Sequence, residues 1–195
     1  MRHKYETRGI VLARTPVGEA NAIVTVLTEE LGLVRARAQG LRKPGAKLAA
    51  ALATFVESSF VLVRGKEGWR VAGAVLESPW FTELGRPDAR CSAARVCGLL
   101  LRLVAGDGHP ELFAIIAGFF AALTPHEAEL IELTEGERDA AEALAVLRIL
   151  AVLGLDAGDI PGGSSRFDRS TLSGVAADRA VYIARINRGI AASDL

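Results

Sequence analysis

The spacing of hydrophobic residues changes at Ser78-Pro79, from the alternation of β-strands to the spacing of α-helices. In Leu33–Gln39 apolar residues alternate with Arg35 and Arg37, which is the period of a β-strand with one solvent-exposed face. Beyond Pro79 the apolar residues recur at helical spacing instead. The pattern predicts five strands, at Tyr5–Arg14, Asn21–Thr28, Leu33–Gln39, Phe55–Arg64 and Trp69–Glu77.

The segment between the third and fourth predicted strands indicates how the strands are arranged. Ala46–Thr54 is rich in alanine and leucine, which predicts a short helix. Five short strands in a flat sheet leave unpaired edges, so closure into a barrel is favoured. The inserted helix favours an OB-like barrel over an SH3-like one. We therefore predict an α+β protein with a five-stranded OB-like β-barrel domain at residues 1–80 and an all-α helical domain at residues 81–195.

Helix signals dominate the second part of the chain. Thr124–Glu127 and Thr134–Glu137 have the spacing of a capping box and predict two helix starts. Ala140–Leu153 is apolar around most of its circumference, which predicts a buried central helix, and Ile160–Ser165 is predicted to be a loop. The remaining predicted helices are Asp88–Val104, Glu111–Leu123 and Ala176–Ala192.

Charge is distributed unevenly although the formal net charge is zero. Residues 1–80 carry 12 Lys and Arg against 7 Asp and Glu, whereas residues 81–195 carry 11 against 16. The basic first part favours a polyanionic partner, with chance as the alternative. Cys91 and Cys97 are interpreted as core thiols of a reducing compartment. Without an apolar N-terminal segment, we expect a cytoplasmic, nucleoid-associated protein and no membrane contact.

The sequence lacks the motifs that assemble common catalytic sites. It has no Walker A, G-x-S-x-G, H-E-x-x-H or paired C-x-x-C pattern. His3, His109 and His126 are scattered, and Glu127 belongs to an acidic helix face that is interpreted as solvated. We predict a protein that is not an enzyme and that takes no cofactor, metal or small-molecule substrate.

Basic residues cluster at the third predicted strand and just after it. Arg35 and Arg37 project from one side of that strand, and Arg42, Lys43 and Lys47 lie in the glycine- and proline-containing loop that follows. This arrangement is typical of a phosphate-binding track on an OB barrel. The alternative is a charged strand edge that prevents aggregation. Three further cations are predicted to widen the DNA-binding surface: Arg14, Arg64 and Lys66.

Aromatic residues do not interleave with this basic cluster. Trp69, Phe55 and Phe60 fall where barrel core is predicted, and the third strand has no aromatic residue. Base stacking on aromatic rings is therefore not expected to drive binding. We predict binding that is mainly electrostatic, independent of sequence, and tolerant of single and double strands.

The order of these elements resembles the RecO recombination mediator family. The resemblance is strongest over residues 5–80 and looser afterwards. It is carried by Thr7–Leu12, Gly18–Asn21, Thr28–Gly32, Ala38–Lys43, Leu144–Leu155 and Ile183–Leu195. It implies an OB domain that binds DNA and a helical domain. It also implies strand annealing and loading of RecA onto DNA coated by single-strand-binding protein (SSB), with RecR and the SSB C-terminal tail as partners.

One departure from the family concerns zinc. Many RecO proteins carry four zinc-binding cysteines in the C-terminal half, whereas this sequence has no cysteine after Cys97. A short, zinc-less variant with a reduced C-terminal domain is therefore expected. Two alternatives remain open from the residues alone: a non-catalytic protein-interaction scaffold and an RNA-binding OB module.

Overall fold

The computed structural model describes residues 3–104, 106, 108–125, 133–163 and 166–193. The chain divides into two compact units. The first comprises Met1–Thr82 together with Gly106–Phe113, and the second comprises Glu83–Ala105 together with Ala114–Leu195. No helix in the described part of the chain is long and apolar enough to cross a membrane.

The first unit is built on a closed five-stranded barrel. Its strands are β1 (His3–Val17), β2 (Asn21–Thr28), β3 (Gly32–Ala38), β4 (Glu57–Gly65) and β5 (Gly68–Ser78). They follow the order β1-β2-β3-β5-β4, and β1 closes the ring by pairing antiparallel with both β2 and β4. The parallel contact between β3 and β5 joins only Ala36 to Trp69 and Arg37 to Arg70. This order confirms the predicted OB-like barrel.

The barrel core is filled by alternate residues of every strand. Val24, Val34, Phe60 and Leu62 are at most 1% exposed and pack together inside it. Burial of such side chains stabilises the fold by about 1.5–3 kcal/mol each. The strands therefore form because their apolar period of two gives the barrel a continuous inner face.

The segment between β3 and β4 differs from the prediction. Ala46–Thr54 forms successive turns, not a regular helix. One bond of helical spacing, from Leu52 N–H to the Leu48 carbonyl at 3.0 Å, is present. A nine-residue segment pays the full cost of helix nucleation and gains few propagation bonds. Tertiary packing decides its shape instead, because Leu52 is fully buried in the barrel core and the Ala51 carbonyl accepts a 2.8 Å bond from the Ser58 hydroxyl.

A buried carboxylate lies at the start of β4. The Glu57 side chain is 3% exposed and accepts hydrogen bonds from the Arg8 guanidinium and, at 3.0 Å, from Trp80 Nε1. The Glu57 carboxylate also raises the pKa of Arg8 above its usual value, since it stabilises the guanidinium charge. Glu29 lies farther from the same guanidinium, at 3.9 Å, and is half-exposed.

The helices are α1 (Trp80–Glu83), α2 (Pro87–Leu103), α3 (Glu111–Leu123), α4 (Glu135–Val152), α5 (Arg169–Ala177) and α6 (Arg179–Ala191). The predicted helices Asp88–Val104 and Glu111–Leu123 are confirmed, the first shifted by one residue. The predicted helix Ala140–Leu153 overlaps α4 and ends one residue beyond it, at the C-cap Leu153, and the residues from Ala140 to Leu150 are almost all buried. The predicted start at Thr124–Glu127 lies partly outside the described residues.

The prediction of one continuous last helix is wrong, because two helices occupy this segment. Ala176–Ala192 is divided at Asp178, which ends α5 and precedes α6. The Asp178 N–H still donates to the Gly174 carbonyl. The Asp178 carbonyl in turn accepts a hydrogen bond from Val181 N–H at 3.0 Å. Aspartate disfavours helix interiors because its side chain competes for nearby backbone groups. The part of the predicted loop that is described, Ile160 to Gly163, contains consecutive turns.

Arg148 of α4 holds the segment that precedes α5 through hydrogen bonds to its backbone. It is 1% exposed, and its Nη2 donates to the carbonyls of Pro161 at 3.1 Å and Arg166 at 2.5 Å. The guanidinium also lies 4.4 Å from the centre of the Phe167 ring. Burial lowers the pKa of Arg148 to about 10, because desolvation disfavours the charged form. The central helix therefore organises a segment that has no regular structure of its own.

The predicted capping box at the start of α4 is confirmed. Glu137 N–H donates to Thr134 Oγ1 at 3.2 Å, and Thr134 N–H donates to a Glu137 carboxylate oxygen at 2.8 Å. Arg169 Nε donates to the same carboxylate at 2.7 Å. The Arg169 bond, together with the bonds that Thr134 N–H and the Thr134 hydroxyl donate to the carboxylate, lowers the pKa of Glu137 to about 2. Glu137 thus links the start of α4 to the start of α5.

Replacing Glu137 by glutamine should lower the free energy of unfolding at neutral pH by about 1 kcal/mol, because glutamine keeps the capping box but loses the ion pair. A lowered folded-state pKa gives stability that is present above the ordinary pKa of 4.5 and lost as pH falls toward about 2. Urea unfolding at several pH values should therefore show wild type and variant converging in acid. Glu135→Gln, which removes a first-turn charge without this ion pair, is the control. An equal difference at neutral and acid pH would contradict the assignment.

Candidate nucleic-acid interface

The outer face of β3 presents two arginines to solvent. Arg35 and Arg37 are exposed, and the residues between and beside them are buried in the barrel. Neither guanidinium forms an ion pair with another residue of the described part of the chain. Arg37 is paired on both sides, with Ile23 of β2 and Arg70 of β5, so it does not lie on a free strand edge. The edge-protection alternative therefore does not explain Arg37.

Arg70 extends this surface and was missed by the sequence-based prediction. It is the direct partner of Arg37 across the β3–β5 contact, and it is half-buried. Its neighbours Trp69 and Val71 both belong to the barrel core, so its side chain points outward. That alternation is visible in the sequence. The parallel register that brings Arg70 beside Arg37 is a long-range contact that no local pattern encodes.

A groove of about 560 Å³ opens beside these residues. It lies between the end of β3 and the β4–β5 hairpin, and it is lined in part by Arg37, Gln39, Lys66, Glu67, Trp69 and Arg70. Three cationic side chains thus converge on one depression, with one carboxylate among them. A groove with three cations and one carboxylate can bind a phosphate group whose neighbouring atoms are also polar.

The loop after β3 is held against the β1–β2 turn. Gly40 N–H donates to Asn21 Oδ1 at 3.0 Å, and Arg42 N–H donates to the Ala20 carbonyl at 3.0 Å. Arg42 Nη1 donates to the Gly18 carbonyl at 2.8 Å, so its position is fixed while its charge is not neutralised. Lys43 and Lys47 are exposed in the same segment. Arg42 thus lies at the end of the barrel where β3 ends and β5 begins.

Arg14 and Arg64 are not brought onto the face of Arg35 and Arg37. A β-bulge between Val11 and Ala13 reverses the alternation of β1, so that Arg14 pairs with Val24, a residue of the barrel core. Arg14 is exposed, but it projects from the opposite side of the strand pair. Arg64 pairs with Trp69 and places its guanidinium 5.2 Å from the centre of the indole ring.

The aromatic side chains occupy the positions predicted for them. Phe60 and Trp69 belong to the barrel core, and Phe55 is 6% exposed. Tyr5 contacts Trp69 edge to face, with ring centres 5.2 Å apart. No exposed aromatic platform lies along the described outer face of β3. The exposed residues of this outer face are therefore cationic and not aromatic.

The cysteines differ from the interpretation of two core thiols. Cys97 is buried, and burial raises the pKa of its thiol well above the usual range, whereas Cys91 is exposed. Within the described residues, no three His, Cys, Asp or Glu side chains lie together in a way that could hold a metal ion.

The closed five-stranded barrel with its exposed cationic face places this domain among the OB-fold proteins. Comparison with known proteins identifies the family. Residues 1–76 match the family model described as recombination protein O N terminal. Residues 1–76 therefore belong to the RecO N-terminal family, as the sequence resemblance predicted.

Three similar proteins, each described as DNA repair protein RecO, come from different bacteria. The protein of Acaryochloris marina is 38% identical over 112 residues, which are 57% of this chain and 38% of that protein. The protein of Dehalococcoides mccartyi is 39% identical over 115 residues, 58% of this chain and 46% of that protein. A Nostoc protein is 30% identical over 161 residues, 80% of this chain and 51% of that protein. The chain thus spans about half the length of these relatives or less.

Proposed function

We propose that this protein acts in DNA repair as a non-catalytic recombination mediator that binds single- and double-stranded DNA and anneals complementary strands. The observation that supports this proposal is the outward cationic face formed by Arg35, Arg37, Lys66 and Arg70. Its family membership supports the same role. As in the family it resembles, the protein would help to load RecA onto SSB-coated single strands together with RecR.

The physical basis of annealing on such a surface is charge neutralisation. Two nucleic-acid strands repel each other through their phosphates, and a cationic surface that contacts both strands lowers this repulsion. No covalent step is needed, so no nucleophile or general base is required. Because phosphates are the same in every sequence, a face without aromatic platforms binds without sequence preference.

The loop cations enlarge the area available to a second strand. Arg42 is held by the Gly18 carbonyl, and Lys43 and Lys47 extend from the same segment into solvent. A strand that occupies the outer face of β3 would leave these loop charges available to its complement. We place the helical domain outside the DNA path and assign it to partner contacts, including the SSB C-terminal tail.

Salt dependence of DNA binding tests this proposal. For a surface with four to six available cations, log K should fall with log salt with a slope of about −3 to −5, since each phosphate contact contributes about −0.7 to −0.9. Fluorescence anisotropy with a labelled single strand and a matched duplex, over a salt series, measures the slope. If the protein is instead a protein-interaction scaffold, it should not bind either DNA. A slope near zero would contradict the electrostatic mechanism.

A further inference from the structure

Two like charges face each other at the β3–β5 contact. Arg37 and Arg70 are direct partners across the parallel contact of β3 and β5, and both line the same groove. Like charges that lie directly opposite each other destabilise a strand pair. No described carboxylate forms an ion pair with either guanidinium. An anion bound between them would remove this repulsion, and two guanidinium groups supply the planar donors that a phosphate accepts.

The groove is lined by apolar and acidic side chains as well as by cations, so it is not built to bind phosphate alone. Trp69 and Val63 contribute apolar surface to it, and Glu67 contributes a carboxylate. A carboxylate repels phosphate, so its presence favours a ligand that also carries a hydrogen-bond donor. The exocyclic amino group of a nucleobase is such a donor. In a duplex one hydrogen of that group is engaged in base pairing and the base faces are stacked, whereas in an unpaired strand the whole pairing edge and both faces are accessible.

We propose that this groove is the single-strand-specific part of the DNA surface. In it, Arg37 and Arg70 bind one phosphate, and the adjoining base lies against Val63, the cross-strand partner of Arg70, with its polar edge toward Glu67. The inference rests on the proposed function and refines it: Arg35 and the loop cations bind phosphates of either form, whereas Arg70 distinguishes an unpaired strand from a duplex. The volume of about 560 Å³ accommodates a ligand of nucleotide size.

The test compares two arginine variants with two DNA forms. Arg70→Gln should weaken binding of a single strand of about 30 nucleotides roughly tenfold, and binding of the matched duplex by no more than about twofold. Arg35→Gln is the control and should weaken both by the same factor, since it contacts only phosphates. Arg70→Lys, which keeps the charge but loses the planar donors, should fall between wild type and Arg70→Gln for the single strand.

The outcomes separate this inference from the proposed function. If the wild-type chain binds neither DNA form in a salt-dependent way, the proposed function itself is wrong. If wild type binds both but Arg70→Gln weakens both equally, only the groove assignment is overturned. Tighter binding of an RNA strand than of the DNA strand of the same sequence would overturn DNA as the occupant. Urea midpoints and circular dichroism confirm that each variant is folded.

Glu67 gives a second and independent test. Glu67→Gln should weaken binding of an oligo-dC strand about threefold relative to oligo-dT, because cytosine carries an exocyclic amino group and thymine does not. If the groove binds only phosphate, removing the carboxylate should strengthen binding of both strands by the same factor. That result would overturn the base contact.

Discussion

A variant in which Arg35, Arg37, Arg42 and Lys43 are all replaced by glutamate should bind single-stranded DNA at least about a hundredfold more weakly than wild type and should not accelerate annealing. Each replacement removes one attractive charge and adds a repulsive one on the same end of the barrel. Long-range repulsion also slows the encounter of protein and DNA. The annealing rate should therefore fall to that of DNA alone.

The physical argument depends on where these side chains lie. Arg35, Arg37 and Lys43 are exposed and have no ion-pair partner among the described residues, so their replacement leaves the barrel core unchanged. Arg42 differs, because its guanidinium donates to the Gly18 carbonyl. Its replacement is expected to cost about 0.5–1.5 kcal/mol of stability through that lost bond.

Annealing of a labelled strand with its complement, at low and at moderate salt, measures the effect. The matched control carries the same charge change on exposed arginines of the helical unit, at Arg102, Arg166, Arg179 and Arg188. It has the same net charge, so it separates a local interface from the effect of overall charge. Annealing that is lost in the control but kept in the barrel variant would place the DNA path on the helical unit.

Removal of the buried carboxylate at residue 57 should lower the stability of the first unit substantially. We expect Glu57→Ala to lower the free energy of unfolding by about 2–3 kcal/mol, toward the low end for a broken buried ion pair because Arg8 is half-exposed. The change leaves the Arg8 guanidinium without its principal acceptor and removes the acceptor of Trp80 Nε1. Both donors lie in the first unit of the chain.

Glu29 offers a control within the same set of residues. It approaches the same Arg8 guanidinium, but at 3.9 Å and with about half of its side chain exposed. Surface ion pairs of this kind contribute about 0–1 kcal/mol. Glu29→Ala should therefore shift the urea midpoint only slightly. Equal losses for Glu29→Ala and Glu57→Ala would show that burial does not determine the strength of this ion pair.

The sequence predicted the strands well because the barrel has one apolar face in every strand. Each predicted strand overlaps an observed one, and Phe60 and Trp69 are core residues as expected. Prediction was poorer where packing overrides local preference. Ala46–Thr54 has the composition of a helix, yet the burial of Leu52 holds it in turns.

The candidate site was predictable only along single strands. Alternation in β3 correctly indicated that Arg35 and Arg37 are exposed on one face. Sequence alternation could not show that a bulge in β1 turns Arg14 to the other side of the sheet. It also could not show that the Arg64 guanidinium lies over the Trp69 ring. Arg70 was missed for a related reason, since its proximity to Arg37 depends on the closure of the barrel and not on neighbouring residues.

The two residue pairs that join β3 to β5 are the thinnest seam of the barrel wall. A bound strand that bridges Arg37 and Arg70 would add a further connection between β3 and β5, where only two residue pairs join the strands. Ligand occupancy would then raise barrel stability in proportion to the logarithm of the free DNA concentration. Through this linkage, the barrel would be most resistant to opening while it holds a strand.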